Sequence, residues 1–162
     1  MKKSFKTLFC LVLTIYFVFA NLLTVNPVSA SSKTITKETI HFENGDYCVV
    51  KTTEIIPDIT TLGTTKTKYA EKSHSYYNAT NTLCWVYTLH GTFMYDNSTL
   101  VVCSDTYHEI DIRRPKYWLY DGGKHWKKAN TAYGTATFQF VSSSAKKTVN
   151  LQISCTKHGV IS

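Results

Sequence analysis

Leu83-Cys84-Trp85-Val86-Tyr87-Thr88-Leu89-His90-Gly91-Thr92-Phe93-Met94-Tyr95, then Asp96-Asn97-Ser98 and Thr99-Leu100-Val101-Val102-Cys103, is the stretch that decides the fold. Trp85, Tyr87, Leu89, Phe93 and Tyr95 fall on every second position, the period of a strand with one face buried. Asp96-Asn97-Ser98 supplies a turn, so the stretch reads as a long β-hairpin carrying two cysteines. A two-residue Asn97-Ser98 turn pairs Trp85 with Ile110, Phe93 with Val102 and Tyr95 with Leu100. A three-residue turn places Cys103 opposite Gly91 on the Trp85 face, and this register is preferred because it suits a bridge to a core-facing cysteine. In either register Cys103 lies opposite Gly91 or Thr92, roughly 25 Å from Cys84 at ~3.4 Å per residue, too far for a disulfide.

Working outward, the chain reads as strands separated by turns. Thr34 to Phe42 is a first strand, and Glu43-Asn44-Gly45-Asp46 carries a hairpin-type Asn-Gly turn. Tyr47 to Ile56 returns beside it, and Pro57 to Thr65 is a Thr-rich loop broken by Pro57 and Gly63. Lys66 to Tyr77 alternates weakly, and its lysines suggest a guarded edge strand. The strand after Cys103 continues to Ile112 and ends at Arg113-Arg114-Pro115, since proline cannot donate to a ladder. In Thr131 to Val141, Ala132, Gly134, Ala136, Phe138 and Phe140 alternate against Tyr133, Thr135, Thr137 and Gln139. Val149, Leu151 and Ile153 line one face of a last strand, which Cys155 continues. The class is all-β, and a disulfide-stapled antiparallel β-sandwich is expected. An immunoglobulin-like arrangement with a Trp against a bridge is one form of it, and a small closed β-barrel is the alternative.

The first thirty residues have the form of a processing segment. Met1-Lys2-Lys3 and Lys6 are basic, Leu8 to Ala20 is nearly all apolar, and Val28-Ser29-Ala30 is a cleavage-type site. Residues 1–30 are therefore expected to be a Sec-type signal peptide cleaved after Ala30, and 31–162 a single secreted domain. The rival is a retained membrane anchor over Leu8 to Val25. Without Lys2, Lys3 and Lys6, 15 of the 18 basic residues face 11 acidic ones, a net of +4 that does not argue for nucleic acid. Cys48, Cys84, Cys103 and Cys155 remain, an even number without metal-type CxxC spacing, which reads as two disulfides. Excluding Cys84–Cys103 leaves two connectivities.

Trp85…Gly91-Thr92-Phe93-Met94-Tyr95 is followed by Cys103, Trp118, Ala132-Tyr133-Gly134-Thr135-Ala136-Thr137, Cys155 and Gly159-Val160-Ile161-Ser162. In this order the motifs resemble a group of small secreted, disulfide-containing β proteins of unknown function from Gram-positive, clostridial-type bacteria. The resemblance covers the last 80 or so residues well and the region before Thr82 loosely. It implies that Cys103 and Cys155 are the shared pair and that Cys48 and Cys84 are additions, in line with a preferred pairing of Cys103–Cys155 with Cys48–Cys84. It also implies a turn near Lys127 to Asn130, with Gly122-Gly123 a bulge within a strand. The residues alone read Asp121-Gly122-Gly123 as the turn. The resemblance implies no activity.

Lys116 to Lys128 is the segment most suggestive of contact chemistry. Its rings can stack on sugar faces, and its lysines, with Arg113 and Arg114, suit phosphates or an acidic polymer. Tyr117 or Trp118 belongs in the core, whereas Trp126 falls near a turn. Trp126, with Tyr120, Lys124, Lys127 and Lys128, is the expected ligand-binding group. No catalytic residue, cofactor or metal ligand is assigned: the six histidines form neither HExxH nor His-x-His, and no Gly-x-Ser-x-Gly elbow occurs. His90 facing Asp105 across the hairpin would be half a triad, but reads better as a polar pair on a wet face. Asp105, Glu109 and Asp111 read as residues keeping a strand soluble. The expected function is a non-enzymatic extracellular or cell-surface module for a cell-wall polymer, glycan or protein ligand, meeting membrane only during export. A secreted antimicrobial or toxin-like effector is the alternative, and a small hydrolase the third.

Overall fold

The structure, a computed structural model, describes residues 31–56 and 64–162. The expected signal peptide, and Pro57 to Gly63 of the expected loop, lie outside the described residues. Among the described residues eight strands follow in order: β1 (Ser31–His41), β2 (Tyr47–Ile56), β3 (Lys66–Tyr77), β4 (Leu83–Tyr95), β5 (Val101–Ile112), β6 (Trp118–Lys128), β7 (Thr131–Phe140) and β8 (Lys146–Ser154). They make two antiparallel sheets, β1-β2-β3-β4-β5 and β6-β7-β8. The all-β expectation holds. Each sheet is an up-and-down meander, so the strand order is not that of an immunoglobulin fold, and among the described residues no ladder joins the sheets into a closed barrel.

The sheets pack face to face. β7 crosses β4 and β5, β8 crosses β3 and β4, and β6 follows β5, while β1 and β2 reach past the smaller sheet. The period-two pattern of β4 puts Trp85, Tyr87, Leu89 and Phe93 wholly inside, opposite Ala132, Ala136 and Phe138 of β7 and Val149, Leu151 and Ile153 of β8. The small residues of β7 let the large rings of β4 approach its backbone. Trp85 is the centre of the aromatic core, stacked on Phe138 (3.9 Å between centroids), Tyr76 (5.0 Å) and His74 (5.4 Å).

Several sequence expectations change. Lys66 to Tyr77 has the expected bounds but lies between β2 and β4 rather than at an edge. Its inward lysines are tolerated because they reach past the small sheet: Lys68 pairs with Glu54 at 2.6 Å and Lys72 caps the Gln152 carbonyl of the β8 edge. The β4–β5 loop spans Asp96 to Leu100, because the Asp96 carboxylate accepts the amides of Ser98, Thr99 and Leu100. With a bulge after Thr92, Phe93 pairs with Cys103, Tyr95 with Val101 and Trp85 with Ile112, which replaces both predicted registers. His90 consequently faces Tyr107, stacked at 4.2 Å, and not Asp105. Asp121 to Gly123 is not a turn. The β6–β7 ladder runs through it with a bulge between Tyr120 and Gly122, whose φ of 118° a glycine accepts readily. The turn is at Ala129-Asn130.

The expected staples are absent: Cys48, Cys84, Cys103 and Cys155 are all buried free thiols. For Cys48 and Cys84 the register gives the reason. Cys48 pairs with Tyr76, and Tyr76 with Trp85, so β3 separates the two cysteines. Two strand spacings set their backbones about 10 Å apart, beyond disulfide reach. Cys103 and Cys155 flank the β6–β7 turn, donating their amides to the Ala129 and Asn130 carbonyls. Burial raises the pKa of both thiols, and that of Cys155 reaches about 11. The long separation of Cys84 from Cys103 stands, because Cys103 pairs nine positions along β4 from Cys84.

Candidate functional site

β6 carries all five expected contact residues, and its register with β7 divides them. Trp126 pairs with Tyr133, Lys124 with Thr135 and Lys128 with Thr131, on the face whose β7 partners point away from the core. Tyr120 pairs with Phe138 and Lys127 with Ala132, both core-facing partners. These two turn toward β5: the Tyr120 hydroxyl lies 3.4 Å from His108 Nε2, and the Lys127 ammonium donates to the Ser104 carbonyl. The inward group also includes His108 and His125, whose Nδ1 atoms are 2.8 Å apart. Burial, then the neighbouring His125, lowers the His108 pKa. Among the described residues no group of three or more His, Cys, Asp or Glu side chains gathers for a metal.

Trp126, Lys124 and Lys128 therefore share the outer face of the small sheet. Trp126 is 42 % exposed and lies parallel to Tyr133, with centroids 5.4 Å apart and planes 7° apart. The Lys124 ammonium sits 5.2 Å from the Trp126 ring centre. Continuing across the register, Tyr133 meets Gln152, Thr135 meets Asn150 and Thr137 meets Thr148. A stacked aromatic pair, with Trp126 partly exposed, thus adjoins a ladder of short hydroxyl and amide side chains, with lysines along one border. Tyr133 was missed as a partner for Trp126. Only a cross-strand register could reveal it.

A second site is assembled at the end of the molecule where the β1–β2, β3–β4, β5–β6 and β7–β8 connections meet. There a cleft of about 780 Å³ is lined by Asp46, Tyr76, Arg114, Tyr117, Trp118 and Lys147, among others. Asp46 ties two of the turns. Its carboxylate accepts the Tyr76 hydroxyl, the Asn44 amide at 2.8 Å and the Ala79 N–H at 2.9 Å. Burial opposes ionisation of Asp46, but these donors and nearby Lys147 hold its pKa below the ordinary value. Asn78 closes the neighbouring turn by accepting the N–H groups of Thr80 and Thr82. Trp118 forms the floor, edge-on to Tyr76 at 5.3 Å and tilted against Phe140 at 5.1 Å.

Two cations border this floor. The Lys147 ammonium rests 4.5 Å from the Phe42 ring centre and 4.8 Å from that of Tyr76. Arg114 is fixed through its backbone, its carbonyl accepting the Tyr117 and Trp118 amides and its N–H reaching the Cys84 carbonyl. Among the described residues neither has a carboxylate within ion-pair distance, whereas Arg113 pairs with Asp111 and Lys146 with Asp121. Of these residues the sequence reading raised Arg114 as an anion contact, and Tyr117 and Trp118 within the aromatic-basic segment, with one of the two placed in the core. Asp46, Tyr76 and Lys147 carry no local motif.

No protein-family model, curated protein or solved structure matches this chain.

Proposed function

We propose that the protein is an exported, non-enzymatic binding module for an extracellular polysaccharide, engaged through the outer face of β6-β7-β8. The observation that carries this reading is the exposed Trp126 ring stacked on Tyr133 beside the Thr135–Asn150 and Thr137–Thr148 pairs. The apolar face of a sugar ring lies flat on such aromatic surface, and the neighbouring hydroxyls and amides hydrogen-bond its edges. Lys124 and Lys128 favour a polymer with anionic substituents, such as a cell-wall polymer, and make its binding weaken with salt.

Co-sedimentation with insoluble wall polysaccharide and affinity electrophoresis in soluble acidic and neutral glycans test the reading. Trp126→Ala is expected to reduce retention at least tenfold. As an exposed cross-strand aromatic it contributes about 0.2–1 kcal/mol to stability, so the melting temperature moves by only a few degrees. Lys124→Gln with Lys128→Gln lowers retention on acidic glycans alone. Undiminished retention of Trp126→Ala overturns the assignment, as does association with anionic vesicles in place of any glycan.

A further inference from the structure

We infer that the end cleft is a separate binding site for a small organic anion with a flat apolar body, such as a fused-ring carboxylate. About 780 Å³ falls within the range of sites that enclose small ligands. The edges of Trp118 and Phe140 form an apolar floor, Tyr76 lies almost wholly buried beneath the Lys147 ammonium, and exposed Tyr117 offers a ring at the mouth. The open face of Tyr117 takes a planar apolar group.

Charge sets the sign of the ligand. Lys147 and Arg114 face the cleft with no carboxylate in ion-pair range among the described residues, and Lys147 is held against the floor by the Phe42 and Tyr76 rings. Asp46, the one carboxylate among the described residues of the lining, already accepts three donors that tie the β1–β2 and β3–β4 turns. A neutral apolar ligand would strip water from two cations and return nothing. An anion restores the lost hydration with charge-assisted hydrogen bonds. Because Asp46 and Asn78 already order the turns, little ordering cost remains for the ligand to offset.

The cleft is distinct from the Trp126 platform. Trp118 and Trp126 stand at opposite ends of β6, separated by roughly 25 Å at the ~3.3 Å rise of a strand. The two sites can therefore fail independently.

Calorimetric titration of the protein with 2-naphthoate, and with 2-naphthylmethanol as the neutral probe of the same ring system, tests the inference. The carboxylate is expected to bind one-to-one and the alcohol at least tenfold more weakly. Arg114→Gln and Lys147→Gln are each expected to weaken 2-naphthoate about tenfold or more, the usual worth of a hydrogen bond to a charged group, and Trp126→Ala to leave it unchanged. Circular dichroism of each variant establishes that it is folded, and Arg114, in an exposed turn, serves if the Lys147 variant is not. Equal affinity for the two probes, no binding of 2-naphthoate at millimolar concentration, or indifference to Arg114→Gln overturns the inference.

Discussion

The contact between Tyr87 of β4 and Gly134 of β7 sets how closely the two sheets approach, and it can be tested with a double-mutant cycle. Tyr87 is wholly buried, and its hydroxyl has no hydrogen-bond partner among the described residues. Burial, with a smaller contribution from Tyr120, raises its pKa to about 12. A methyl group at position 134 would lie 2.1 Å from that hydroxyl and 2.9 Å from the Leu89 side chain. Neither neighbour has room to retreat, so Gly134→Ala should cost about 2–3 kcal/mol by overpacking. Tyr87→Phe removes a hydroxyl that is desolvated without compensation, so it should be neutral or stabilising by up to about 1 kcal/mol. In the Tyr87→Phe background the nearest ring atom to the new methyl is 3.3 Å away, and the Leu89 contact remains. Gly134→Ala should then cost about 1–2 kcal/mol less, a coupling of the size expected for residues in contact. Urea denaturation of the four proteins measures it. Equal costs of Gly134→Ala in the two backgrounds, within about 0.5 kcal/mol, would refute the packing reasoning. A loss above about 1 kcal/mol for Tyr87→Phe alone would show that the hydroxyl has a partner.

Two further outcomes follow from buried titratable groups. His74, stacked on Trp85 with Lys147 also near, has its pKa lowered from 6.5 to about 4, chiefly by burial. The folded state therefore holds His74 neutral while the unfolded chain takes up a proton. Its contribution to stability is complete above pH 6.5 and is lost as pH falls toward 4, amounting to roughly 3 kcal/mol at about 1.4 kcal/mol per pH unit. The unfolding free energy of the wild type minus that of His74→Leu, from denaturant titrations, should fall by that amount between pH 7 and 4. His108 is shifted the same way in both proteins and cancels, and parallel curves would contradict the assignment. The four core thiols, all with pKa raised first by burial, should react with an aromatic disulfide reagent at least about a hundredfold more slowly in the folded protein than in denaturant. Peptide mapping after oxidation of folded protein should yield no Cys48–Cys84 linkage, and recovering it would refute the β2-β3-β4 order.

Strand faces were legible wherever one side of a strand meets the core. The alternation in β4, in β7 and along Val149, Leu151 and Ile153 of β8 identified the residues that are buried. The same period said nothing about neighbours. Lys66 to Tyr77 looked like an edge because lysines guard edges, yet they are accommodated in the interior strand β3 because the covering sheet stops at β8 and their ammonium groups reach past it. The hairpin register was missed because the Asp96 carboxylate lengthens the loop and a bulge follows Thr92, both of which depend on a side-chain contact or on the partner strand. Trp126 was legible as an exposed aromatic. Lys127 points to the opposite face by plain alternation with Trp126, whereas Tyr120 does so because the bulge at Asp121 shifts the alternation of β6 by one position.

The sequence by itself determined that this is an all-β chain, which residues of its longest strand are core, and that one tryptophan of β6 stays outside. A side-chain period of two is a local property of the backbone and can be read from a single strand. Only the tertiary structure decided the order of the strands, the separation of Cys48 from Cys84 by β3, the stacking of Trp126 on Tyr133, and the meeting of Asp46, Tyr76, Arg114, Trp118 and Lys147 in one cleft. These are choices of partner and register between segments far apart in the chain, made by the packing of two whole faces rather than by any residue's own preference.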